Sequence, residues 1–219
     1  METTTDLADT PLADLLTRAR ELALAEDPEA AHETLWETVE ALRGPHAGEE
    51  VFEAALGWSG DAEPQVRALG RDVLGQFAAG SDGVGAYAER SVPHLVEALD
   101  DLDPTALGCA VVVLGHLHHW RPWDAAPVAA LATRDEASLR FDVAHALCAA
   151  VGEGSKIALE TLLTVMDDAD EEVRDWATFG VAESGVDDDR IREALFARTH
   201  DAHEDTRLEA IKGLASRDR

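Results

Sequence analysis

The sequence predicts an all-α fold, a right-handed α-α superhelix of about six stacked helical hairpins. Three observations point there. Apolar residues make up 46% of the chain but aromatics only 5%, which suits thin helices packed closely rather than a thick sheet core. A pattern of apolar and charged positions returns along most of the chain. Pro and acidic residues punctuate it where helix starts are expected.

The repeat is seen by superposing two stretches. Asp61, Pro64, Val66 and Arg67 lead into Val73-Leu74-Gly75, and Asp101, Pro104 and Leu107 lead in the same register into Val113-Leu114-Gly115. Placing Arg67 on Leu107, Arg140, Arg174 and Arg207 gives steps of 107−67=40, 140−107=33, 174−140=34 and 207−174=33. An apolar residue precedes the register position in Val66-Arg67, Leu139-Arg140 and Val173-Arg174. A small or apolar pair follows about seven residues on, as in Leu147-Cys148 and Val181-Ala182, and such spacing marks one buried helix face.

Taken in order, the predicted hairpins are 11–25 with 28–43, 46–58 with 63–79, and 90–100 with 104–119. Then follow 122–132 with 137–151, 156–167 with 171–184, and 188–199 with 204–216. The first pair, 11–43, is less regular and reads as an N-terminal cap with Leu35, Val39 and Leu42 turned inward, because a terminal repeat has one face without a neighbour. Residues 46–216 carry the repeats, and 1–219 reads as one solenoid. Asp61, Asp103 and Asp170 stand ahead of second helices, where a carboxylate caps free N–H groups and opposes the helix dipole. Pro64 and Pro104 fall in first turns, where a missing N–H does no harm. The Gly-rich stretch at 80–85 predicts an inserted loop that accounts for the step of 40. It is no phosphate cradle, since no Lys-Ser/Thr follows.

The D-x-x-V-R-x-x-A-x-x-A-L-G pattern, over about 61–216, resembles the short bacterial HEAT repeat, also called phycobilin-lyase-like. The stretch from Val173 to Gly180 is similar to one that recurs in uncharacterised bacterial HEAT-repeat proteins. Leu107, without the Arg, and Thr206, in place of the preceding apolar residue, depart from the pattern. The resemblance implies that Arg67, Arg140, Arg174 and Arg207 tie neighbouring repeats together as a structural ladder. It also implies that the working surface is the concave wall of second helices.

Positions one, five and nine after the register residue are expected on that wall, because they recur on one helical stripe. They are Ala68, Asp72 and Gln76; Gly108, Val112 and His116; Phe141, His145 and Ala149; Asp175, Phe179 and Glu183; and Leu208, Lys212 and Ser216. His116, Phe141, His145, Asp175 and Phe179, with Trp176 beside them, put large rings bordered by acid where a solvated surface would place charge. Two readings stand open. The rings are either anchors for a protein partner or filling between helices.

Charge bounds the partners. Acids outnumber bases 45 to 18, for a formal −27, which opposes a phosphate backbone, since nucleic-acid binding needs clustered Lys and Arg. It fits either a basic protein partner steered by the field or simple solubility in salt. No apolar run approaches the roughly 20 residues of a membrane span, and the first residues lack a signal peptide's basic and apolar regions, so a cytoplasmic location is expected. Cys109 and Cys148 sit in apolar stretches and read as small core residues.

The function expected is a non-catalytic protein-binding scaffold or adaptor that needs no cofactor. One alternative is an acidic inhibitor or immunity-type protein for a basic enzyme such as a nuclease. The other is an enzyme of HEAT type, a lyase or a metal-dependent one. Against the latter, the His-Glu pairs His32-Glu33 and His203-Glu204 are too few and misplaced for the irons of deoxyhypusine hydroxylase. The acidic field also opposes the DNA held by HEAT-like glycosylases, though Trp176 and Asp175 imitate part of their site. His116 and His119 share a helix face, but Asp142 and His145 repeat that spacing out of axial step with them, which argues against one shared metal site. The C-terminal repeat offers a face for self-association.

Overall fold

The structure, a computed structural model, describes residues 7–80 and 84–218. Among the described residues all regular structure is helical, and its helices pair into six hairpins. They are α1 (Leu12–Ala23) with α2 (Pro28–Arg43), α3 (Glu49–Ser59) with α4 (Pro64–Gly80), and α5 (Val84–Glu97) with α6 (Pro104–Leu117). Then come α7 (Ala126–Ala129) with α8 (Ala137–Gly152), α9 (Lys156–Val165) with α10 (Glu171–Glu183), and α11 (Asp189–Arg198) with α12 (Glu204–Arg217). The chain divides into two compact units, Met1–Val113 and Leu114–Arg219, and the division falls within α6.

Local chemistry sets most boundaries. Asp27 accepts from the Ala30 N–H ahead of α2, Ser155 from the Ala158 N–H ahead of α9, and Asp188 from the Ile191 N–H ahead of α11. Asp170 accepts from the N–H groups of both Glu172 and Val173. Each cap satisfies a donor the helix leaves open, and its loss costs about 1 kcal/mol.

In the first unit, Leu15 of α1, Leu42 of α2, Phe52 of α3 and Leu74 of α4 are buried in one core. In the second, Leu139 and Leu147 of α8, Leu162 of α9 and Val173 and Val181 of α10 are fully buried or nearly so. Each such side chain contributes about 2 kcal/mol by leaving water. Small residues let the second helices approach. A Cβ on Gly180 of α10 would lie 2.7 Å from the Cys148 sulfur, and one on Gly115 would lie 2.7 Å from the Ala146 Cα.

Three expectations are revised. Of the loop expected at 80–85, residues 81–83 lie outside the described residues, while α4 runs through Gly80 and α5 begins at Val84. Helix α5 therefore starts six residues before the expected 90 (90−84=6) and continues through Pro93, whose missing N–H costs it one hydrogen bond. The helix expected over 122–132 shrinks to the single turn of α7, followed by a 3-10 stretch, Ala130–Thr133. Ahead of that turn the Trp123 ring is buried, its Nε1–H donating to the Leu114 carbonyl at 2.6 Å, so the residues after α6 are held in an irregular path. Finally, Asp61 is not the cap of α4. Its Oδ1 accepts from the Glu63 N–H, upstream of the helix.

Candidate functional site

Asp61 belongs to a separate series of acids. Asp61, Asp101, Asp168 and Asp201 each lie in the turn between the two helices of a hairpin, and each accepts from the N–H two residues on. The last three also receive the register arginine of the preceding hairpin in two parallel hydrogen bonds. Arg67 donates to Asp101 at 2.7 and 2.8 Å, Arg140 to Asp168 at 2.7 and 2.8 Å, and Arg174 to Asp201 at 2.9 and 3.0 Å. A third donor on each arginine goes to two carbonyls of its own turn, such as Asp168 and Ala169 for Arg174. The planar fork matches a carboxylate in a way lysine cannot. These hydrogen bonds hold the Asp101, Asp168 and Asp201 carboxyls below the usual carboxylate range, against the opposing effect of burial. Among the described residues, Arg207 makes only the two carbonyl contacts. The register position Leu107 has no guanidinium to offer, and the matching turn position, six before Arg140, is Arg134 rather than Asp.

Arginines outside the register add to this framework, Arg71 and Arg217 among them. Arg71 of α4 is 3% exposed and adds a second guanidinium on Asp101 at 2.7 Å. Arg217, at the end of α12, donates to the carbonyls of Val181, Ala182, Val186 and Gly213, so it closes the C-terminal end of α10.

The second unit brings five of the six expected site residues together. His116 at the end of α6 meets His145 of α8, with ring centres 5.6 Å apart and planes at 90°. His145 in turn meets Trp176 of α10 at 4.6 Å and 82°. Trp176 also receives Phe141 at 6.0 Å and Phe179 at 5.6 Å, both steeply tilted. Trp176 is thus the hub of a ring cluster whose edge-to-face contacts are each worth about 0.5–1.5 kcal/mol beyond burial. The rings pack between helices and also keep part of their surface in solvent. His116 is exposed, whereas Phe141, His145, Trp176 and Phe179 pack on one another yet are only partly buried.

A cavity of about 380 Å³ opens beside the cluster, lined by His116, His145, Trp176, Phe179 and Glu183, with Cys148 at its floor. Burial, with the His116 ring next in effect, holds His145 below the usual imidazole value and so neutral at physiological pH. Burial pushes the Cys148 thiol up to about 12, and its Sγ–H reaches the Ala144 carbonyl, so it is a packing group and no nucleophile.

Asp175, the sixth residue, stands apart from the rings. One of its carboxylate oxygens is buried without a hydrogen-bond partner. Burial raises its pKa, opposed by His203 and reinforced by Asp205 and Glu209 of α12. Asp142 of α8 shows the same effect more strongly, since burial alone pushes it up to about 6. The remaining histidines separate: His118 turns inward onto Trp123, with ring centres 4.9 Å apart, while His119 faces out toward Glu153 at 3.7 Å. Among the described residues, no three His, Cys, Asp or Glu side chains are grouped to hold a metal ion.

The first unit carries a different surface at the same register. Leu35, Trp36, Ala68, Leu69, Asp72 and Cys109 line an apolar groove of about 530 Å³. Sequence reasoning missed it because the signal is small residues, Ala68 and Cys109, in positions where the second unit has rings.

No protein-family model matches the chain, and no curated protein does. Solved structures do. The Escherichia coli protein YibA aligns over 99% of this chain and 77% of its own with a TM-score of 0.74 and 18% identity. A designed armadillo repeat protein, solved in complex with a (KR)4 peptide, aligns over 93% of this chain and 99% of its own at 0.64 and 17%. An archaeal HEAT-like repeats protein from Thermococcus onnurineus NA1 aligns over 93% and 97% at 0.53 and 14%. Among the described residues no helix is long and apolar enough to cross a membrane. In fold, the chain is a helical-repeat solenoid of the HEAT and armadillo type.

Proposed function

We propose that the protein is a non-catalytic binding scaffold that grips a protein partner through the second-helix face of its second unit, using His116, Phe141, His145, Trp176 and Phe179, with Asp175 on its flank. The observation that carries this reading is the ring cluster. Partly exposed rings, immobilised by one another, lose little entropy on binding and supply the kind of anchor that dominates interface energies. The structural likeness to a designed repeat protein bound to a basic peptide supports a peptide or protein ligand in this fold class. A cytoplasmic protein of net charge −27 would draw a basic partner in through its field.

The test is affinity capture from native lysate at low and high salt, comparing wild type with a Phe141→Ala, Phe179→Ala double variant of matched helical content. A partner retained by wild type should rebind as a purified protein and lose at least about tenfold in affinity to the variant, the scale of two anchor residues. Equal retention by both would remove the ring face from the proposal.

The charge also favours a narrower reading, an acidic inhibitor of a basic enzyme such as a nuclease. It would show as inhibition whose on-rate falls steeply with salt. Self-association has its own observation. Ile211 of α12 is 52% exposed, whereas the residues at the same register in the preceding repeats, Arg71, Val111, Ala144 and Thr178, are all buried. Light scattering of wild type against Ile211→Glu tests it.

A further inference from the structure

We infer that the cavity between His145, Trp176, Phe179 and Glu183 receives one cationic side chain, an arginine or lysine, projecting from the partner polypeptide. This rests on the ring face being the partner-binding face, and specifies what that face selects.

Three properties of the cavity converge on a cation. Its walls are rings set steeply to one another, His145 on Trp176 at 82° and Trp176 on Phe179 at 77°. Such a corner presents π-electron density to a guest from more than one side, and a cation within about 6 Å of an aromatic face gains about 0.5–2 kcal/mol. Glu183 is the charged side chain of its lining, and no lysine or arginine joins it. Arg217 couples to Glu183 electrostatically, but its N–H groups are directed at backbone carbonyls and the Ser184 hydroxyl. Because His145 is kept neutral by burial, it adds no repulsion and leaves a ring nitrogen able to accept from a guanidinium or ammonium.

Other guests fit less well. An anion would meet the Glu183 carboxylate and the overall negative field. A purely apolar side chain has no use for a carboxylate in the wall, and the surface of this protein built for one is the groove of the first unit.

The chain already contains this chemistry within itself. In the first unit Arg90 lies 4.2 Å over the Phe52 ring while pairing with Glu49 at 2.8 Å and Glu53 at 2.6 Å. Ring, guanidinium and carboxylate form a closed set there. In the second unit the rings and the carboxylate are in place, and the cation is what the partner would bring.

The experiment titrates the full chain with the blocked amino acids N-acetyl-arginine methylamide, N-acetyl-lysine methylamide, N-acetyl-leucine methylamide and N-acetyl-glutamate methylamide. The Trp176 indole N–H is followed by NMR and assigned by its absence in Trp176→Phe. Arginine, lysine or both should shift that resonance and saturate at roughly millimolar concentration, as befits a single side chain. Glu183→Gln, an exposed position whose change leaves the core intact, should weaken the binding about threefold or more. The leucine and glutamate derivatives should leave the resonance in place. A leucine derivative that shifts it as strongly as arginine, or a Glu183→Gln variant that binds arginine as wild type does, overturns the inference. If it fails while the Phe141→Ala, Phe179→Ala variant still loses its partner, the face binds protein by apolar contact instead.

Discussion

The two units share one register and differ in what they mount on it. At the positions one and two after the register residue, the first unit carries Ala68 and Leu69, then Gly108 and Cys109, and is left with an apolar groove of about 530 Å³. The second unit carries Phe141 and Asp142, then Asp175 and Trp176. Its face is filled by rings around a smaller cavity of about 380 Å³ with a carboxylate in its wall. The backbone framework that carries these surfaces is held in both by the same device, a register arginine forked onto an aspartate of the next turn. The proposed recognition surface and this device are therefore separate in position. The forked arginines and their aspartates lie at the turn end, and the proposed binding residues lie along the second helix.

The largest effect expected from breaking the comparison lies in the framework. Asp101→Ala should destabilise the first unit by about 3–5 kcal/mol, because it strands the buried Arg71 as well as Arg67. Asp168→Ala, which strands Arg140 alone, should cost the second unit less, about 2–3 kcal/mol by the same reasoning. Chemical denaturation followed by hydrogen exchange in each unit would read both values, and equal losses would argue that Arg71 adds nothing to its rung.

A smaller effect, of opposite sign, is expected at Asp142. Its pKa is raised to about 6 by burial, so the folded state binds a proton that the unfolded state releases near pH 4. Stability associated with this group is full below that value and is lost as the pH rises through about 6. Asp142→Asn should therefore stabilise the protein by about 1 kcal/mol at pH 7.5, a rise of about 2–4 °C in Tm. At pH 4 or below the gain should vanish. A gain independent of pH would mean that the carboxylate is not the cause.

The smallest effect sharpens the contrast between the surfaces. Ala68→Phe places in the first unit the ring that Phe141 provides in the second, and the groove has room for it. The change in stability should stay within about 1 kcal/mol, while binding of a hydrophobic dye to that groove should fall. A large destabilisation would show that the two registers are not equivalent in space.

Much of the fold was legible before the structure. The register positions Arg67, Leu107, Arg140, Arg174 and Arg207 recur at steps of 40, 33, 34 and 33, and steps of that length encode one hairpin each. The second helices α4, α6, α8, α10 and α12 followed within a few residues from Pro, acidic caps and apolar spacing, since those signals act over a single turn of chain. Of the boundaries that failed, the one at α7 is where a tertiary contact outweighed local preference, with the Trp123 ring held by the Leu114 carbonyl.

The site divided along the same line. Helical periodicity alone put His116, Phe141, His145, Asp175 and Phe179 on one stripe, because residues four apart share a face whatever surrounds them. That Trp176 is the hub, that Asp175 faces α12 instead of the rings, and that Arg71 and Arg217 hold the framework depended on how successive hairpins stack. The same is true of the partner of Arg67, Arg140 and Arg174, in each case an aspartate 27–34 residues away in the next turn. Spacing within one helix fixes direction around its axis, but a contact between repeats also needs their offset and rotation, and those are set only when the cores close together.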